Sequence, residues 1–186
     1  MKALFFGRIS LFFCLLSGFA LASSCSKKES DPVASDSVMD FGPGVGYSPR
    51  DASNRAIGTQ DPTDWTLDNQ WNAKEAELFK SLALNVNDRP IGTASMSGAY
   101  PNPATASVRL SWSTPEAAQH DFVIADQSYQ AIIGNSSSTP SFGGSSTFNL
   151  SQNSAFKRGQ VYRVYYIFHN GKTVYYKGHG DIKIAE

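Results

Sequence analysis

The densest gathering of chemically capable side chains is Lys177-Gly178-His179-Gly180-Asp181. Two glycines would let the backbone turn tightly there, so that Lys177, His179 and Asp181 converge on a ligand. The competing expectation is a bulge or turn leading into a last strand. A metal is not expected. The histidines are His120, His169 and His179, none of them paired at a metal-ligand spacing, and no cysteine lies beyond Cys25. His120-Asp121 has the residue types of an acid–base pair, but neighbours along a strand point to opposite faces. The serines form no Gly-x-Ser-x-Gly elbow. No cofactor and no enzymatic activity are expected; a hydrolase assembled from separated residues is the weaker rival.

Aromatic residues crowd the same region. Tyr162, Tyr165, Tyr166, Tyr175 and Tyr176 fall in two alternating runs around Asn170-Gly171. Asn-Gly between such runs signals a hairpin with a type I′ turn, which needs positive φ at both central positions. An exposed tyrosine row would stack on sugar rings or grip a protein, unless a helix covers it. The expected helix is residues 72–84, with Asn72 as N-cap and Glu75 completing a capping box. Further strands are expected where Val108, Leu110 and Trp112 alternate with polar residues, at Phe122 and Ile124, at Phe148 and Leu150, and at Ile182 and Ile184. Residues 134–147 are nearly all Ser, Thr, Gly and Pro, which predicts a mobile loop. Short strands between turns predict a mainly β fold: a small immunoglobulin-like antiparallel β-sandwich with one short N-terminal helix.

A different chemistry is written at the start. Lys2 and Arg8 precede an apolar stretch over residues 9–21, and small residues Ala22-Ser23-Ser24 lead to Cys25. This is the three-part pattern of a secretory signal, too short to span a bilayer comfortably. Small residues just before a cysteine resemble a lipobox, although Leu21 stands four positions before Cys25 and Ala22 takes the usual leucine place. The resemblance implies cleavage after residue 24 and a diacylglycerol thioether on Cys25, holding the chain to a membrane by its buried methylenes. Ser26-Lys27-Lys28-Glu29-Ser30-Asp31 is similar to the segment after the lipidated cysteine in many Bacteroidota lipoproteins, where nearby acids direct surface export. The implied location is the bacterial outer membrane, on either face.

Composition fits that address. The 186 residues are 41% hydrophobic and 17% charged, enough for one core with few ionic groups. Lys2 and Arg8 are the only charged residues in the expected signal, so its removal leaves a slightly acidic chain. No basic patch points to nucleic acid. Residues 25–60 are rich in Ser, Asp, Gly and Pro and read as a flexible tether, with the folded domain at 61–186. Gly42-x-Gly44-x-Gly46 lacks the flanking strand, helix and Lys-Ser/Thr ending of a phosphate loop.

Tyr100-Pro101-Asn102-Pro103 just before the strand at residues 107–112 resembles the opening of the C-terminal sorting domain of type IX secretion cargo. Residues 122–126, 148–151 and 159–162, Lys177 and the final strand extend the similarity over about residues 98–186. The resemblance implies the immunoglobulin-like sandwich and, as an alternative role, recognition by secretion machinery. The leading expectation is a lipid-anchored binding or assembly module that presents a sheet face or edge to an envelope protein or glycan.

Overall fold

Alternating apolar and polar residues make the strands, and the length of two of them shapes the molecule. A computed structural model describes residues 38–186 except Pro43. The expected signal at 1–24, Cys25 and the first part of the tether lie outside the described residues. In chain order the elements are β1 (Thr66–Leu67), α1 (Ala73–Glu77), β2 (Ser95–Met96), β3 (Ser107–Ala125), β4 (Ala131–Asn149), β5 (Val161–Asn170) and β6 (Thr173–Lys183). Every strand pairing is antiparallel, in the order β1-β6-β5-β3-β2, with β4 added on β3. The fold is mainly β, antiparallel and sandwich-like with one short helix, as expected.

Ten extended residues span roughly 33 Å. Trp112 and Phe122 both lie in β3, yet their rings are 5.2 Å apart. The strand doubles back where its pairing with β4 shifts register, between Ser113 and Ala118 and between Ala118 and His120. β4 folds with it, and Asn135 Nδ2 donates to Ser146 Oγ at 3.2 Å within the same strand. The layers are therefore the halves of one folded sheet. Between them lie Val108, Leu110 and Trp112 from one half and Phe122, Tyr166 and Phe168 from the other. The outer face carries Val123, Tyr165 and Ile167, packed under Trp71, Phe79 and Val86.

Several expectations need correction. The segment 134–147 is not a loop but most of β4. Its alternation is invisible because all its residues but Ser146 are at least partly exposed, so nothing selects apolar residues on one face. The helix expected over 72–84 shrinks to α1 and a 3-10 turn at Lys80–Leu82. The Asn72–Glu75 capping box is present. Between the two pieces Phe79 leaves helical geometry and stacks on Trp71 at 5.0 Å. Order begins before residue 61: Met39 is buried in the outer cluster, and Arg50 bridges to Ala56 and Asn102. In the β5–β6 hairpin, Asn170 pairs with Thr173, so Gly171 and Lys172 are the central residues. Gly171 has φ +59° and Lys172 is not among the positive-φ residues, which matches a type II′ turn rather than I′.

Candidate functional site

Lys177, His179 and Asp181 do share one face of β6, two residues apart, but within a regular ladder opposite Ile167, Tyr165 and Arg163. The intervening glycines make neither turn nor bulge. A Cβ on Gly178 would stand 1.9 Å from the Thr66 carbonyl oxygen, and one on Gly180 would stand 2.3 Å from the Trp65 ring. They let β1 and Trp65 lie against β6.

Each polar residue on that face has its own partner. Arg163 Nε and Nη2 donate to Asp181 Oδ1 and Oδ2, both at 2.8 Å, a bidentate pair with both residues buried. Burial pushes the Asp181 carboxyl up and Arg163 pulls it back, while Asp181 holds the guanidinium charged against burial. Asp64 Oδ1 accepts the Asp181 N–H at 2.8 Å, and burial raises that carboxyl too. His179 Nδ1 lies 2.7 Å from Asp68 Oδ2, which also accepts the Trp71 indole N–H at 2.9 Å. Lys177 Nζ donates to Asn87 Oδ1 at 3.0 Å and sits 4.7 Å from the Trp71 ring centre. Burial lowers this amine to about 8. The three side chains converge on three separate partners and not on a common ligand position.

The tyrosines are corrected in the same way. Tyr162, Tyr165, Tyr166, Tyr175 and Tyr176 are all at most 8% exposed, so no stacking row faces solvent. The segment around α1 covers Tyr165, whose hydroxyl donates to Glu75 Oε1 at 3.0 Å. Tyr166 donates to the Thr66 carbonyl at 2.8 Å and Tyr162 to the Ala155 carbonyl at 2.9 Å. Tyr175 packs on Gly92, and Tyr176 stacks on Tyr166. Asp121 turns away from His120, as strand geometry requires, and meets His169 Nε2 at 3.0 Å. His169 Nδ1 is 3.0 Å from the Gly171 carbonyl, so both ring nitrogens are engaged. The Asp121 bond raises the His169 imidazole, while burial lowers that of His120 beside Trp112. In the Tyr-Pro-Asn-Pro segment, Asn102 is an internal clamp. Its side chain donates to the Ser48 and Asp181 carbonyls and accepts the Lys183 N–H.

Sequence reasoning missed Arg163, Asp64, Asp68 and Asn87. Only Arg163 carried a signal, as a lone charge inside the apolar run of β5.

Unpaired backbone hydrogen-bonding groups run along β4. Among the described residues β4 pairs with β3 alone, leaving its other edge free over a 19-residue strand. Arg109 exchanges both backbone bonds with Tyr100, each at 2.8 Å, and the Ser111 carbonyl accepts the Ser97 N–H at 2.8 Å. Backbone groups alternate sides along an antiparallel strand, so Val108, Leu110 and Trp112 are the residues bonded to β4. Their partners Phe148, Ser146 and Gly144 point inward. Gly143, Ser145 and Thr147 therefore aim N–H and C=O outward. No charged residue occurs anywhere in β4. Phe142, at the bend, is 66% exposed. Beside the first half of the strand runs a groove of about 280 Å³, lined in part by Leu78, Leu82, Ala131, Asn135 and Ser136.

Compared with protein-family models, with curated proteins and with solved structures, the chain matches none.

Proposed function

We propose that the protein is a lipid-anchored module of the bacterial outer membrane that binds another envelope protein by taking an extended segment of it along β4. It acts by assembly, without catalysis. The observation that carries this reading is the free, uncharged outer edge of β4. Natural edges are usually blunted by charge, because an unpaired row of N–H and C=O groups is a template for another strand. β4 has only Pro140 and its bend for protection. Strand addition uses these backbone groups for affinity and neighbouring hollows for side-chain specificity, and the groove beside Ala131 and Asn135 supplies such a hollow. The membrane address rests on the signal pattern and Cys25. A protein partner is favoured over a glycan because the tyrosine rings that would stack on sugars are buried.

The test uses the full-length protein in envelope preparations with a photo-reactive group at position 142. Cross-linking to a protein partner is expected, and it should disappear in a Ser145→Pro variant of unchanged stability. Cross-linking that persists in that variant, or that captures only polysaccharide, contradicts the reading.

A further inference from the structure

Lys177 and Asn87 meet in a confined setting, with the amine beside an amide that is itself held at both ends. The Lys177 residue is fully buried, and its amine lies 3.0 Å from Asn87 Oδ1. A carbonyl bond is about 1.23 Å, so Nζ stands no more than about 4.2 Å from the amide carbon. Attack geometries begin near roughly 3–3.5 Å. The amide is held still. Its Oδ1 accepts the Trp71 N–H at 2.7 Å, and its Nδ2 donates to the Trp71 carbonyl at 2.8 Å. Those two bonds also fix which amide atom is which. The Trp71 ring lies over the amine and is anchored by its own bond to Asp68.

We propose that Lys177 and Asn87 condense into an intramolecular isopeptide bond. The neutral amine adds to Asn87 Cγ, forming the Nζ–Cγ bond. Negative charge on Oδ1 meets the Trp71 N–H, already aimed at it. The Cγ–Nδ2 bond then breaks, one amine proton passes to Nδ2, and ammonia leaves. Nothing is oxidised or reduced, and no co-reactant is consumed. Burial that lowers the amine to about 8 leaves roughly a tenth of it neutral at pH 7. Asp68 and Glu75 are the carboxylates whose fields reach Lys177, and they oppose that lowering. The product would tie the covering segment that carries Asn87 to β6. Both cysteines fall within the first 25 residues, so no disulfide can do this in the described part.

The experiment is a proteolytic digest of the denatured full-length protein, read by tandem mass spectrometry. The expected product is one branched peptide joining the segments around Asn87 and Lys177, lighter by one ammonia than their sum. It should be absent from Lys177→Arg and Asn87→Ala. Two separate linear peptides with intact side chains overturn the proposal. Loss of ammonia that persists in Lys177→Arg also overturns it, because Asn87 has then closed on its own backbone. If the variants do not fold, the unsubstituted digest alone decides.

Discussion

Along β6, Lys177, His179 and Asp181 each meet a side-chain partner of their own, and the outer edge is closed piecemeal. The Trp65 N–H bonds the His179 carbonyl, Asp68 bonds Lys177, Gly92 bonds Tyr175, and Ala104 bonds Lys183. Along β4 there is no charged side chain, and the outward groups of Gly143, Ser145 and Thr147 meet nothing among the described residues. Among the described residues, three separate segments, at 65–68, 91–92 and 104, cap one edge and none caps the other. Chemically rich side chains mark the interior of this molecule, and a run of Ser, Thr and Gly marks its available surface.

The sharpest way to break this contrast is at the buried ion pair. Asp181→Ala should cost about 3–5 kcal/mol, because Arg163 is left charged and unpaired in the interior. Chemical denaturation measures it, and a loss below 1 kcal/mol would mean that water reaches Arg163. Next comes a pair of prolines one residue apart. Ser146→Pro removes an inward ladder bond and the hydroxyl that accepts from Asn135, and should cost roughly 2–3 kcal/mol. Ser145→Pro removes an outward N–H and the exposed Arg109–Ser145 side-chain bond, and should stay within about 1 kcal/mol. Equal costs would contradict the assignment of the free edge. Gly180→Ala should destabilise by about 1–3 kcal/mol, since the added methyl meets the Trp65 ring. A neutral result would show that β1 can lift away freely.

The smallest effect concerns protons. The Asp121 bond raises His169, so its stabilising contribution is fully present below the ordinary histidine value and is lost as pH rises through the raised one. Titration of the imidazole by NMR should find a midpoint above the ordinary value that falls back in Asp121→Asn. An unshifted midpoint in the unsubstituted protein would contradict the pair.

Legibility in the sequence followed burial. The β5–β6 hairpin and the Asn72–Glu75 cap could be read because apolar periodicity and local capping are short-range signals. The turn was displaced by one residue because Asn170 pairs instead of turning. Apart from its end at Phe148, β4 was hidden because its pairing with β3 is made by backbone, which no side-chain pattern records. The partners Asn87 and Asp68 lie about 90 and 111 positions from Lys177 and His179, respectively, and no local spacing could connect them. Asn102 enters the sequence reading only through the Tyr-Pro-Asn-Pro resemblance, yet its work is to clamp Ser48 and β6 together.

Amide hydrogen exchange tests the central claim most directly. In the purified full-length protein, the amides of Gly143, Ser145 and Thr147 should exchange rapidly while those of Gly144, Ser146 and Phe148 are protected. Adding solubilised envelope should slow the first set. Outward amides already protected in the isolated protein, or unchanged by the envelope fraction, would contradict β4 as the docking strand.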